Sequence, residues 1–353
     1  MYTQRYSLLD CSRDGACVTK NLQIGARLED RSEHAWKNWT ARGHSEVASE
    51  PSLVALEVAV VPRSLFLPSN ILIDYWALTK PEINFLIGMT TAAAFCLGFS
   101  EAPRFPWLLF LHTVLGTVLV SSGASTLNQV IERHFDAKMR RTSRRPIAAG
   151  RIQPSHGMVF GALLSVAGGL QLAVAVRPSA SLLALLTLGW YLFFYTPLKR
   201  RTPMCTFVGA FSGAMPVLIG YVAAAGKLGS QAWLLYTILF LWQFPHFMAI
   251  AWMYREDYAR AGYEILPRGK YKTRLMQWQS VLPAVAMVPV GVAWLILRHA
   301  NQILVVASLL LSLSFLYFAS RLAGVRSNGS ARQLLLVSIV YLPMVFALVL
   351  TTM

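Results

Sequence analysis

From about residue 65 onward the chain alternates long apolar runs with short stretches of charge, Pro and Gly. The runs fall near 82–99, 106–126, 157–176, 180–197, 204–225, 231–253, 278–297, 302–320 and 333–351. Each is close to the roughly 20 apolar residues that a helix needs to cross a hydrocarbon core. The pattern predicts an all-α polytopic membrane protein with nine transmembrane helices. Internal Gly and Pro, as in "FVGAFSGAMPVLIGY", are compatible with that reading, because neighbouring helices satisfy freed backbone groups and small residues let helices approach.

Composition strengthens the membrane assignment. Hydrophobic residues make up 55% of the 353 and charged residues 14%, against roughly 25% charged in soluble domains. Cys11, Cys17, Cys96 and Cys205 are scattered, so neither a disulfide framework nor a thiolate metal site is indicated. Residues 1–65 differ from the rest: up to Glu57 they hold seven Lys/Arg and eight Asp/Glu with little apolar periodicity. This stretch is expected to be an unstructured cytoplasmic extension, with the membrane domain over 66–353. It carries neither a secretory apolar core nor an acid-poor, Arg-rich presequence.

The loops after the second, fourth, sixth and eighth segments hold nineteen Lys/Arg, the opposite loops four. Basic residues are retained on the cytoplasmic side, which places the N-terminus inside. The net charge of +16 is accounted for by this asymmetry, without nucleic acid as a partner.

Acidic residues are scarce enough for position to be informative. After Glu101 only five carboxylates remain, and four of them form two groups, Glu132 with Asp136 and Glu256 with Asp257. In "NQVIERHFDAKMRRTSRRP", Asn128, Glu132 and Asp136 are i, i+4 neighbours on one helix face. Oxygen ligands in that array suit Mg²⁺, a hard ion that completes its shell with water and phosphate oxygens. The adjoining Arg140, Arg141, Arg144 and Arg145 suit phosphate. The bland alternative is that the acids form salt bridges with those arginines at a helix end. His134 points about 120° away from the stripe and is not expected to be a ligand. A matching cluster follows the sixth segment in "YREDYARAGYEILP", and "YTPLKRRT" sets Tyr195 and Lys199 one turn apart at the same membrane face. Two four-helix halves, each with an acidic cluster, look like an internal repeat.

These stretches, together with "DYWALTKPEI" and "WQFPHFMAIAWMYREDYARAG", resemble the UbiA superfamily of intramembrane prenyltransferases over about residues 70 to 350, and within it the branch that farnesylates heme B. The resemblance implies nine helices around a central cavity where Mg²⁺ and farnesyl diphosphate bind. It implies metal ligation by Asn128, Glu132, Asp136 and Asp257, although the second motif is reduced, Ala261 standing where another acid is usual. It assigns Asp136, Asp257, Lys199 and Tyr195 to catalysis, and Arg144, Arg145, Lys199 and Arg200 to the diphosphate. The acceptor implied is heme B, converted to heme O, with His246, Trp242 and Phe247 around it; Tyr195, Trp242 and Phe244 offer ring faces to an allylic cation. For His246 a hydrogen bond to a neighbouring helix is the competing account. The remaining partners implied are the lipid bilayer of a cell inner membrane and a downstream heme A synthase. Another acceptor, such as a quinone precursor, would use the same diphosphate site. A secondary transporter would place its charges near mid-membrane rather than at helix ends.

Overall fold

The computed structural model describes residues 6–11, 17–22, 70–99, 104–266, 271–297 and 300–351. Two units are distinguished, Met1–Leu65 and Phe66–Met353. In the first, β1 (Tyr6–Cys11) and β2 (Cys17–Leu22) pair antiparallel, Tyr6 opposite Leu22 and Cys11 opposite Cys17. The rest of the expected unstructured extension lies outside the described residues.

The second unit is all-α. Helix α1 (Ile71–Leu78) is capped by the Asn70 side chain, which accepts from the Leu72 N–H. It buries Asp74 and Leu78, one turn apart, and exposes Ile71, Leu72, Ile73 and Trp76. An apolar outer face with a Trp suits a short helix lying at the membrane interface. Helix α2 (Pro81–Gly98) begins at Pro81, directly after Lys80, whose backbone is left-handed at φ 52°. Then follow α3 (Trp107–Asp136), α4 (Pro154–Ala175), α5 (Pro178–Leu198), α6 (Cys205–Ala225), α7 (Ser230–Met253), the short α8 (Arg255–Ala261), α9 (Tyr271–Leu297), α10 (Gln302–Val325) and α11 (Asn328–Leu350).

All nine expected apolar segments are helical, and eight helices are long and apolar enough to cross a membrane. Helix α2, with Glu82 and Asn84 in its first turn, is not among the eight. Side chains such as Leu163, Leu170 and Val174 on α4 are exposed, as lipid-facing residues are. The apolar run of the second segment ends near 126, but α3 continues to Asp136, 30 residues in all, as the i, i+4 reading of Asn128, Glu132 and Asp136 requires. At 1.5 Å per residue that is about 45 Å, longer than a hydrocarbon core of about 30 Å. Polar residues end the apolar run without ending the helix, so the acidic stripe sits on its last turns.

Helices α3 and α4 pack closely because glycines face each other. A Cβ on Gly168 would lie 2.6 Å from the Gly116 carbonyl, and one on Gly123 would strike Ser165 and the Gly161 carbonyl. Near its end α5 loosens into a π-helical turn, Trp190–Tyr195, before Thr196–Leu198 resumes the α-helix. Such turns rotate the side chains that follow and recur at functional sites.

Candidate active site

The membrane unit encloses a cavity of about 520 Å³ lined by α2, α3, α5, α6, α7 and α11. Most of its wall is apolar, contributed by residues such as Ile87, Val120, Leu188, Ile219 and Leu342. Its charged groups gather at one end, where Lys80, Asn128, Glu132, Asp136, Arg141, Arg145 and Lys199 line it. An apolar chamber with convergent polar groups at one mouth suits a ligand with a lipidic body and an anionic head.

The i, i+4 stripe of α3 faces this cavity, and Asn128, Glu132 and Asp136 are all buried. Asn128 Nδ2 donates to Thr196 Oγ1 (3.1 Å), which itself donates to the Tyr191 carbonyl (2.9 Å). That chain fixes the amide and leaves Asn128 Oδ1 as the atom that could serve a ligand. Lys199 Nζ donates to both oxygens of Glu132, at 3.0 and 3.1 Å, and lies 4.6 Å from the centroid of the Tyr195 ring. Burial alone would lower the Lys199 ammonium, but Glu132 and the neighbouring phenols hold it well above the ordinary lysine range. The Tyr195 ring lies over Gly209, where a Cβ would come within 2.5 Å of it. Arg145 Nη1 donates to both oxygens of Asp136, at 2.8 and 2.7 Å. The two acids are thus paired with cations, which is the bland alternative partly realised. The partners nevertheless face a cavity rather than a packed core, so the same oxygens and cations are available to a metal and an anion. The donor set, one amide oxygen and two carboxylates on successive turns of one face, fits Mg²⁺.

On α11, Ser338 Oγ donates to the Leu335 carbonyl (2.6 Å) and therefore accepts from Nδ1 of His246 on α7 (2.7 Å). The proton sits on Nδ1, and the Nε2 lone pair is left for a ligand. Trp242 stacks on the imidazole at 4.5 Å and donates to the Ser338 carbonyl. The hydrogen bond to a neighbouring helix, the competing account of His246, is present, and it fixes the orientation of the ring.

Nine of the expected site residues therefore line one cavity: Asn128, Glu132, Asp136, Arg145, Tyr195, Lys199, Trp242, His246 and Phe247. Four do not. Asp257 is buried beside the mouth, accepting from the Arg141 backbone N–H and from Arg260, both at 3.2 Å. Arg144 is exposed, and Arg200 is exposed and stacked 4.8 Å over Phe135. Phe244, offered as a ring face, packs instead against Phe240 and Phe207. Glu256 is 76% exposed beside Arg255.

The sequence reading missed Lys80, Tyr191 and Tyr263, all of which line the cavity, as does Arg141, named there among the loop cations that suit phosphate. Lys80 is half-buried; its backbone caps the turn between α1 and α2, while among the described residues its ammonium forms no hydrogen bond or ion pair. Burial, with Arg145 and Lys199 nearby, lowers its ammonium to about 7. Its signal in the sequence was the Lys-Pro step at a helix start, where a cation opposes the helix dipole. Tyr263 has a buried hydroxyl beside Glu132; burial, then the nearby charge of Glu132, raises it above the ordinary tyrosine range.

Fold and site together define an intramembrane helical bundle built to hold a lipidic, anionic-headed molecule. The model of the UbiA prenyltransferase family matches residues 87–348, and the chain belongs to that family. It is 44% identical over 286 residues to a protein named protoheme IX farnesyltransferase from Solibacter usitatus, covering 78% of this chain and 97% of that one. A protein of the same name from Koribacter versatilis is 43% identical over 288 residues, with 79% and 93% covered. Among solved structures, a UbiA homolog from Archaeoglobus fulgidus bound to GPP and Mg²⁺ superposes with a TM-score of 0.57 at 15% identity, covering 78% of this chain and 99% of that chain. At that identity the likeness is one of fold.

Proposed function

We propose that this protein transfers the farnesyl group of farnesyl diphosphate to a vinyl group of heme B, giving heme O. The observation that carries the reading is the acidic stripe and its cations at the mouth of an apolar cavity, in a chain that aligns with almost the whole length of relatives named for this activity.

Asn128, Glu132 and Asp136 would hold Mg²⁺ at the mouth, and we assign Asp257 to the same duty from the neighbouring rim. When bound, Mg²⁺ supplies positive charge that makes diphosphate a better leaving group. Arg145 and Lys199, released from Asp136 and Glu132, bind phosphate oxygens and stabilise the negative charge that grows as the C–O bond breaks. The diphosphate leaves with the bonding electrons, and the allylic cation lies among the rings of Tyr191 and Tyr195, 5.3 Å apart. The apolar wall excludes water at this stage. His246 Nε2 and the Trp242 face hold the porphyrin so that its vinyl π-electrons form the new C–C bond. Water then adds at the adjacent carbon and gives up a proton, leaving the hydroxyl of heme O.

The charge asymmetry of the loops supports a cytoplasmic N-terminus and a mouth on the cytoplasmic side of the plasma membrane. The deciding experiment is incubation of purified protein with Mg²⁺, farnesyl diphosphate and heme B, with mass detection of heme O. Prenylation of a quinone precursor, with heme B left unchanged, would overturn the acceptor assignment.

A further inference from the structure

Asp74, in the "DYWALTKPEI" stretch, has no place in the chemistry above, yet it is a buried carboxylate close to the arginine loop that follows α3. Arg151 grips it as a fork: Nε donates to both carboxylate oxygens at 3.0 Å, and Nη2 to Oδ1 at 2.9 Å. The same Nη2 donates to the Arg144 carbonyl at 3.1 Å. One guanidinium therefore joins α1 to the backbone immediately before Arg145. The chain turns back to make this possible at Gly150, with φ 74°, a conformation glycine adopts without steric cost.

From that anchor the loop reaches both acidic motifs. Arg145 meets Asp136 through its side chain, the Thr142 hydroxyl donates to the Asp136 carbonyl at 2.9 Å, and the Arg141 N–H meets Asp257. Three carboxylates from three helices thus hold one loop. Asp136 and Asp257 are expected to leave it when they take up metal. Asp74 is not among the residues that line the cavity and keeps its hold.

We propose that Asp74 is a positioning residue for the diphosphate: through Arg151 it keeps the 137–153 loop in place while Arg145 passes from Asp136 to the substrate anion. The proposal rests on the prenyl diphosphate reading but not on the identity of the acceptor. Bidentate Arg–carboxylate geometry is suited to this, since it fixes orientation as well as distance.

The test is a double-mutant cycle with Asp74→Asn, Arg151→Gln and the double variant, titrating each purified protein with farnesyl thiodiphosphate, an unreactive analogue, in the presence of Mg²⁺. Each single variant should bind it about tenfold more weakly, and the double variant no more weakly than either single, as for neighbours acting as one unit. In turnover the KM for farnesyl diphosphate should rise while kcat at saturation stays within about twofold. The double variant carries no uncompensated charge, so it reports even if a single variant fails to fold. Wild-type affinity in the folded variants, or a fall in melting temperature with unchanged affinity, would overturn the positioning role alone. Failure of the wild-type protein to bind the analogue would overturn the diphosphate reading and this role with it.

Discussion

Lys199 Nζ lies 3.0 Å from Glu132 Oε1, joining α3 to the end of α5 across 67 residues of sequence. The pair is largely buried, with side-chain exposures of 12% and 7%, so it does two separable things. It cancels two charges within the bundle, and in the proposed reaction it supplies a cation for the anion and a carboxylate for the metal.

The first prediction separates those two roles. Lys199→Met should lower stability by about 3 kcal/mol, because Glu132 is left buried and unpaired. Adding Glu132→Gln should restore most of that stability and none of the turnover. Melting in detergent and single-turnover assays on the same samples measure both. A double variant that regains activity would remove the pair from the chemistry.

Asp136→Ala and Asp257→Ala should each reduce turnover by more than about a hundredfold while the protein still inserts and folds, the loss expected when charge stabilisation at a reacting group is removed. Chelation of divalent metal should abolish wild-type turnover, and re-addition of Mg²⁺ should restore it. Near-normal activity in Asp257→Ala would leave that residue as an anchor for Arg141 and nothing more.

Lys80 predicts a pH dependence. Its ammonium lies near 7 before ligand arrives, so above neutral pH much of it is deprotonated. A bound diphosphate favours the charged form and raises that value, so binding takes up a proton and affinity falls as pH rises above about 7. Calorimetry at pH 8 in buffers of different ionisation enthalpy should show the uptake, and Lys80→Met should abolish it. Equal proton uptake in that variant would assign it to another group.

His246→Ala should weaken heme B binding and shift its Soret band, with little change in farnesyl diphosphate affinity. Ser338→Ala should do the same more mildly, because it removes the acceptor that keeps the proton on Nδ1. An unchanged heme spectrum in His246→Ala would return the imidazole to a packing role.

Much of this architecture is local and could be read from the chain. Long apolar runs report helices because every backbone polar group must be satisfied within lipid. The spacing of Asn128, Glu132 and Asp136 reports one helix face because the helical repeat is fixed. Tyr195 and Lys199 share a turn for the same reason, although the π-helical turn that aims them was not visible in the pattern.

What the chain did not reveal depends on which helix ends meet. Arg144 and Arg145 are adjacent and chemically identical, yet one lies exposed and the other faces Asp136. Asp74 and Arg151 are 77 residues apart, and only the seating of α1 beside the loop brings them together. Lys80 becomes a cavity residue because α2 packs along α6 and α3, while Asp257, legible as one of two matched acids, stops at the rim behind Arg141. The sequence by itself determined the helices, the membrane and the kinds of chemical group at the mouth, because those follow from solvent and helical period. Which charge neutralises which, and which arginine faces the substrate, was decided by tertiary packing, because an ion pair depends on distances of a few ångströms that periodicity does not encode.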